Sequence, residues 1–180
     1  MCSGTRGKRE RKGRPVSDFF TNCPLCGHSL ESVRQEGVRR MKCPECGYIQ
    51  YRNPSSAVGV IVVREGEVLL VKRRFEPYRG KWVIPSGFIE YDEDLREAAV
   101  REVQEETGFE VELTGLHAAE SCFDDPRGNT ILVLYMGRIR GGELSAGDDA
   151  EDAAFFPLGR LPEIAFEAHR KVLGELASAL

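Results

Sequence analysis

The sequence predicts a mixed α/β fold in which several short strands are combined with two amphipathic helices. Segments rich in Val and Ile, bounded by Gly, Pro and charged turn residues, are typical of strands. Two other segments carry apolar residues at intervals of three and four, which is the spacing of one helix face. With 180 residues, 41% of them apolar, the chain is long enough to bury such a core.

The strand signals begin with a hairpin and continue on both sides of the first helix. A strand over 57–63 turns at 64–67 into a second strand over 68–72. Apolar residues over 166–180 predict the second helix. The strand over 130–139 is expected to be the most clearly buried. Further strands are predicted over 82–84, 110–113, 116–123 and 153–157.

The formal charge of −4 is unevenly divided along the chain. Residues 1–56 carry 11 basic and 5 acidic side chains, whereas residues 57–180 carry 14 and 24. The basic excess begins in a Gly/Lys/Arg-rich tail over 1–17, which is expected to be disordered and solvated. No apolar run approaches the ~20 residues that span a bilayer, and no secretory signal is visible. A soluble, cytoplasmic protein without a membrane partner is expected.

Four of the six cysteines form two C-x2-C pairs, Cys23 with Cys26 and Cys43 with Cys46, sixteen residues apart. This spacing predicts a zinc ribbon over 18–54. Because Zn2+ prefers tetrahedral thiolate sites, and four protein ligands leave no open position, the zinc is expected to be structural.

Other interpretations of the cysteines exist. Disulfides fit poorly without a secretory signal, and a redox dithiol usually opens a helix in a βαβ context. Iron in the same four-sulfur geometry is a further alternative. Cys2 lies in the tail, and Cys122 is expected to be a small core residue. Ribbons can bind nucleic acid, but few aromatic residues are available here for base stacking, so nucleic acid is not the expected partner.

Three carboxylates are predicted to crowd one face of the first helix. Glu102, Glu105 and Glu106 fall at i, i+3 and i+4, and like charges at this spacing repel by a few tenths of a kcal/mol per pair. A divalent cation with oxygen ligands, such as Mg2+, would relieve that repulsion. An ordinary acidic amphipathic helix is the alternative for three such residues taken alone.

The residues around this face fit a helix that begins near Glu93 and Asp94 and ends at Gly108. Negative charge is favourable at a helix N-terminus. Gly87 can turn the chain just before the helix and leaves the backbone open to a ligand. Arg101 lies about two turns beyond Glu93, so an ion pair between them could fix the orientation of the acidic face.

The spacing of these residues resembles the Nudix signature: glycine, five residues, glutamate, seven residues, then Arg-Glu-aliphatic-any-Glu-Glu-any-Gly-apolar. Ser86 replaces the middle residue of the family's common Pro-Gly-Gly lead-in. The resemblance covers roughly 56–176 and implies an α/β/α sandwich over 55–180 that splits nucleoside diphosphates linked to another group, using Mg2+ or Mn2+. The fixed positions are occupied by Gly87, Glu93, Arg101, Glu102, Val103, Glu105, Glu106, Gly108 and Phe109.

The resemblance also implies roles for these residues. Glu102 and Glu106, one helical turn apart, are the expected metal ligands, and Glu105 joins them or binds through water. Gly87 offers its carbonyl oxygen as a further ligand. Glu93 and Arg101 are expected to orient the others.

The general base is either a glutamate of this motif or an acid in the run 147–151, where Asp148, Asp149 and Glu151 could equally form a solvated turn. Arg73 and Arg74 are expected to meet phosphates, although consecutive strand residues face opposite ways. Trp82 and Phe123 are candidates for base stacking, against the alternative of core packing. His169 is expected to be a partly exposed helix residue, in a setting similar to a stretch near the nucleotide site of some Nudix enzymes.

A zinc ribbon before a Nudix domain resembles the NADH pyrophosphatases. Their Ser-Gln-Pro-Trp-Pro-Phe-Pro run is not found, and 120–126 read Glu-Ser-Cys-Phe-Asp-Asp-Pro instead. The chain is more similar to a zinc-ribbon Nudix group associated with ADP-ribose and FAD. The expected reaction releases AMP from an ADP-ribose-like or FAD-like dinucleotide. The alternatives are an NADH pyrophosphatase and a non-catalytic Nudix-fold sensor or nucleic-acid-binding module. The sequence does not fix the oligomeric state, although a homodimer is common among Nudix relatives.

Overall fold

The computed structural model describes residues 20–179, and the chain divides into two compact units between Asn53 and Pro54. The predicted basic tail over 1–17 and Cys2 lie outside the described residues. The smaller unit contains an antiparallel sheet in the order β1-β2-β3. Its strands are β1 (Glu31–Gln35), β2 (Val38–Lys42) and β3 (Ile49–Gln50). Sequence analysis predicted none of these strands, because they are short and mostly exposed.

The larger unit is built around one mixed sheet. Its described elements, in chain order, are β4 (Ser55–Arg64), β5 (Glu67–Arg73), β6 (Trp82–Val83), β7 (Ser86–Phe88), α1 (Leu95–Thr107), β8 (Phe109–Cys122), β9 (Thr130–Gly142), β10 (Ala150–Pro157) and α2 (Glu167–Ser178). The central order is β10-β5-β4-β9-β8, with β6 beside β5 and β7 beside β4. Strands β4 and β9 are parallel, and the other pairs are antiparallel.

The two helices cover different faces of this sheet. Alternate residues Val58, Val60 and Val62 of β4 share a buried cluster with Ala98, Ala99 and Val103 of α1. Ile61 of β4 instead belongs to a second cluster with Val172 and Leu173 of α2. Because side chains alternate along a strand, one strand serves both clusters. The predicted mixed α/β sandwich is confirmed.

Helix α1 begins and ends at its capping residues. The Asp94 side chain accepts a hydrogen bond from the backbone N–H of Arg96, and Gly108 ends the helix in the left-handed conformation at φ 73°. The backbone N–H of Glu167 at the start of α2 donates to Asp124 Oδ2 at 2.8 Å. A residue distant in sequence thus caps the second helix.

Two predictions about the strands were wrong. The segments 110–113 and 116–123 belong to one strand, β8, whose three register shifts let it curve without ending. The strand β9 alternates between buried and exposed residues, and Ile131 is 42% exposed. The most continuously buried strands are β4 and β5, because both of their faces are covered.

Candidate active site

A close approach between Gly87 and the first helix positions the first carboxylate of the site. A Cβ atom at Gly87 would lie only 2.2–2.3 Å from the carboxylate atoms of Glu102. Gly87 pairs with Val58 inside β7 and does not have a positive φ, so it does not form the predicted turn. The position requires glycine because the Glu102 carboxylate occupies the space of a side chain.

Arg101 holds three carboxylates of the motif together. Its Nε and Nη2 atoms donate to the two oxygens of Glu93 at 2.6 and 2.8 Å, which confirms the expected ion pair. Its Nη1 donates to Glu102 Oε1 at 2.8 Å and to Glu105 Oε2 at 2.9 Å. Nη2 also donates to the carbonyl of Phe88 at 3.3 Å. The guanidinium therefore ties the helix to β7 and to the segment before the helix.

Glu106 is the most buried acid of the motif. Its Oε2 accepts a hydrogen bond from the backbone N–H of Ser86 at 2.9 Å. Burial raises the pKa of Glu106 to about 8, against the opposing effect of the Ser86 hydrogen bond. Burial also raises the pKa of Glu102, although the Arg101 guanidinium opposes this shift. Both acids thus favour a bound proton or a bound cation.

A cavity of about 180 Å³ adjoins Glu102, Glu106 and Gly87 in the larger unit. Its lining combines carboxylates, guanidinium groups and aromatic rings, which suits an anionic ligand with a flat base. The other lining residues with charged, aromatic or imidazole side chains are Lys72, Arg73, Phe75, Phe88, Asp125, Arg127, Asp149, Phe166 and His169. Glu105 is exposed and is not part of this lining.

Arg73 alone among the four predicted substrate contacts lines the cavity. Its Nε donates to the carbonyl of Pro77 at 2.8 Å, and its guanidinium lies 5.2 Å from the Phe166 ring centroid. Burial lowers the pKa of Arg73, with a further contribution from the charge of Arg127. One hydrogen bond and one cation–π contact therefore hold this guanidinium beside the cavity.

The structure places the other three predicted contacts away from the cavity wall. Arg74 donates from Nη2 to the carbonyl of Ala150 at 2.8 Å. Trp82 packs edge-on against Phe156 with centroids 4.6 Å apart, beside the core. Phe123 is 57% exposed. Arg74 directly follows the last residue of β5, and its bond to the Ala150 carbonyl engages its guanidinium outside the cavity lining.

The acidic run near the end of α1 contributes one residue to the cavity. The backbone N–H of Gly147 donates to the carbonyl of Glu106 at 3.3 Å, and a Cβ at Gly147 would lie 2.4 Å from the carbonyl oxygen of Glu105. This close packing brings Asp149 to the cavity lining. Asp148 is not among the lining residues, and Glu151 forms an ion pair with Lys72 at 3.5 Å.

His169 is buried, at 4% exposure, so the expectation of a partly exposed residue was wrong. Its Nδ1 accepts a hydrogen bond from the backbone N–H of Ile84 at 3.1 Å. Complete burial lowers the pKa of His169 to about 3, and the charges of Arg73 and Arg170 add to the shift. The imidazole is therefore neutral at physiological pH. Cys122 is buried as expected, and it also lines the cavity.

Sequence reasoning missed the pair Asp125 and Arg127 in the loop between β8 and β9. Arg127 binds Asp125 through Nη2 at 2.8 Å, and its guanidinium lies 5.8 Å from the ring centroid of Phe88. The sequence did contain a signal for this pair, since Asp125 and Arg127 carry opposite charges on either side of Pro126. That pattern is common in surface turns, so it did not distinguish a site.

In the smaller unit, the four cysteines of the two pairs converge. Their Sγ atoms all lie within 4.8 Å of one another, and three of the separations are 3.5 Å. Zn–S bonds of ~2.3 Å in a tetrahedron place sulfurs roughly 3.8 Å apart, whereas a disulfide requires ~2.05 Å. Backbone hydrogen bonding from Cys46 lowers the pKa of the Cys43 thiol. The cluster therefore fits a tetrahedral metal ion.

Comparison with known proteins agrees with the fold of the larger unit and with its acidic motif. The family model described as NUDIX domain matches residues 53–176. The crystal structure of a NUDIX hydrolase from Nitrosomonas europaea superposes with a TM-score of 0.77 at 32% identity, covering 88% of this chain and 91% of that one. The chain therefore belongs to the Nudix family of hydrolases.

Two curated relatives carry more specific names. An ADP-ribose pyrophosphatase of Methanocaldococcus jannaschii is 42% identical over 127 residues, which are 70% of this chain and 75% of that protein. An NAD-capped RNA hydrolase NudC of Pseudomonas aeruginosa is 33% identical over 144 residues, 79% of this chain and 49% of that protein. The chain spans only about half the length of this second relative. In the described part of the chain, no helix is long and apolar enough to cross a membrane.

Proposed function

We propose that this enzyme hydrolyses the diphosphate bond of ADP-ribose or a similar dinucleotide and releases AMP. The observation that carries the proposal is the buried carboxylate pair of Glu102 and Glu106 beside the cavity. Within the described residues, no cationic side chain forms an ion pair with Glu106. Because a buried anion is costly without a partner, Mg2+ or Mn2+ would supply the counter-charge that Glu106 lacks.

Each residue of the site has a role in this reaction. Glu102, Glu106 and the Gly87 carbonyl would hold the cation, which when bound neutralises phosphate oxygens and lowers the pKa of a bound water. Arg101 fixes the Glu102 carboxylate through the 2.8 Å contact. Arg73 provides positive charge for the diphosphate. Asp149, which lines the cavity, is the candidate to accept a proton from the attacking water.

The substrate class is supported by the relative from Methanocaldococcus jannaschii, which is named an ADP-ribose pyrophosphatase. NADH is the second candidate, because the relative from Pseudomonas aeruginosa is named for NAD-capped RNA. FAD, which the sequence analysis expected alongside ADP-ribose, is the third candidate. A homodimer and a cytoplasmic location stay predictions.

A substrate panel with a matched pair of variants tests the proposal. ADP-ribose, FAD and NADH are incubated separately with Mg2+ or Mn2+, and released AMP is measured by chromatography. We expect Glu106→Gln to lower kcat by about 1,000-fold, because several kcal/mol of charge stabilisation disappear with the ligand. The control Glu97→Gln changes an exposed acid of the same helix and should keep full activity. Full turnover in Glu106→Gln would contradict the proposal.

We also propose that the cysteine cluster holds one structural Zn2+. Cys23 and Cys43 are buried and form a small core with Leu30. A unit with so few buried apolar residues gains most of its stability from a bound metal.

A further inference from the structure

The His169 imidazole makes only one of its two possible hydrogen bonds within the protein. Its Nδ1 accepts the backbone N–H of Ile84, so Nδ1 carries no proton. In a neutral imidazole the proton then resides on Nε2, which must act as a donor. In the described part of the chain, Nε2 forms no hydrogen bond with a protein acceptor.

The His169 side chain lines the cavity. His169 is 4% exposed, so its side chain is enclosed by protein except where it borders accessible space. Among described residues, Gln50 Oε1 is the one buried side-chain nitrogen or oxygen atom without a partner. The Nε2 atom is therefore not sealed in the protein interior. A donor with a fixed tautomer at a cavity wall is suited to bind an acceptor atom of a ligand.

The surroundings of His169 favour an anionic acceptor. Its ring lies 5.6 Å from the Phe166 ring, and the Arg73 guanidinium lies 5.2 Å from the same ring. Arg73 and His169 are thus two donors that flank one aromatic side chain in the same cavity. Both are fixed by bonds to backbone groups, the carbonyl of Pro77 and the N–H of Ile84.

We propose that His169 is a substrate-binding residue that donates from Nε2 to a non-bridging phosphate oxygen of the diphosphate. This assignment rests on the proposed function, because it takes a nucleoside diphosphate derivative as the ligand. It adds a neutral donor to the cationic Arg73, and it explains why an imidazole is enclosed where an apolar side chain would fill the same space.

Two substitutions separate ligand binding from a purely structural role. The amide oxygen of Asn is as many bonds from Cβ as the Nδ1 atom of His. The amide nitrogen of Gln is as many bonds from Cβ as the Nε2 atom of His. His169→Asn can therefore keep the acceptor for the Ile84 N–H but lose the donor to the ligand. His169→Gln can keep the donor but lose the acceptor. We therefore expect His169→Asn to weaken ligand binding and His169→Gln to lower the stability of the fold.

The probe is the non-hydrolysable α,β-methylene analogue of ADP, added with Mg2+ and followed by calorimetry. We expect about a 10-fold weaker Kd for His169→Asn, the loss of one hydrogen bond, and at most about a 3-fold change for His169→Gln. Thermal unfolding should show the reverse order, with the Gln variant less stable. An unchanged Kd in the Asn variant would overturn the proposal and leave His169 as a structural residue.

Nitrogen NMR of the wild-type protein tests the same contact without a variant. The Nε2 signal of His169 should be of the protonated type and should shift when the analogue binds, and exposed His117 serves as the internal control. Adenosine alone should leave the signal in place. A shift with adenosine, or none with the analogue, would overturn the phosphate contact. Turnover of ADP-ribose, measured separately, shows whether the proposed function fails as well.

Discussion

At the scale of single residues, Gly87 illustrates how an absent side chain makes room for a neighbouring carboxylate. Sequence reasoning selected this glycine as a turn, but its backbone is part of a strand and needs no unusual φ. The constraint comes from Glu102, whose carboxylate lies where a Cβ atom would be. Both residues are recognisable in the sequence, whereas the contact between them depends on how β7 packs against α1.

Replacing Gly87 with alanine should displace the Glu102 carboxylate, because atoms 2.2 Å apart cannot both be accommodated. We expect kcat with Mg2+ to fall by at least about 100-fold while the fold persists, as measured by steady-state kinetics and circular dichroism. Gly174→Ala is the matched control, since Gly174 is exposed in α2 with open space around it. That variant should keep its activity and gain about 0.5–1 kcal/mol of stability. Full activity in Gly87→Ala would contradict the role of this contact.

Glu106 should make the metal-free protein less stable as pH rises. Its folded pKa of about 8 exceeds the unfolded value of 4.5, so the folded state binds more protons between these values. The free energy of unfolding then falls by up to about 1.4 kcal/mol per pH unit as pH rises through this window. His169, with its pKa lowered to about 3, acts oppositely, but only below its ordinary value of 6.5.

The measurement is therefore made between pH 6.5 and 8. In this range Glu106 changes the free energy of unfolding with pH, whereas His169 contributes little to that change. Denaturant unfolding of metal-free protein should show the decline in wild type and lose it in Glu106→Gln. Added Mg2+ should also reduce the decline, because a bound cation replaces the proton. An equal decline in Glu106→Gln would show that another group is responsible.

At the scale of elements, α1 was predicted closely because its signals are local. Asp94 and Gly108 mark the ends, and the charge pattern marks one face. The strand β8 was predicted as two pieces because its register shifts depend on pairing with β9, which no local pattern encodes. The same reason explains why β7 was not predicted, since three residues gain their strand geometry from β4.

Arg101 connects α1 to the neighbouring backbone, so its fork geometry should matter more than its charge. Arg101→Lys keeps the charge but cannot contact Glu93, Glu102 and the Phe88 carbonyl at once. We expect kcat to fall by at least about 10-fold. The free energy of unfolding should fall by less than about 1 kcal/mol, because the ion pair between Arg101 and Glu93 is partly solvated. Kinetics and denaturant unfolding check this. Arg138→Lys, an exposed residue of β9, is the control, and equal activity in both variants would refute the expectation.

At the scale of the molecule, the family and the acidic motif were predictable, whereas the cavity was not. The motif follows one helix and the residues before it, so spacing alone specifies it. The cavity combines Arg73 from β5, Arg127 from a loop and His169 from α2. These residues are separated by dozens of positions, and each has an unremarkable local pattern. His169 in particular lies between buried Ala168 and exposed Arg170, so its burial depends on how α2 packs and not on a local sequence pattern.

The division into two units predicts how the protein responds to loss of the proposed zinc ion. Hydrophobic residues of the larger unit form three clusters of their own, whereas the smaller unit relies on Cys23, Leu30 and Cys43. We expect about one zinc ion per chain by elemental analysis, and none in Cys43→Ser, because three thiolates bind less tightly than four. In that variant, hydrogen exchange should rise across β1 to β3 and stay slow across β4 and β5. Cys122→Ser, which changes a cysteine of the larger unit, should retain its zinc. Freshly purified wild-type protein without zinc, or slow exchange in β1 and β2 of Cys43→Ser, would contradict a structural metal.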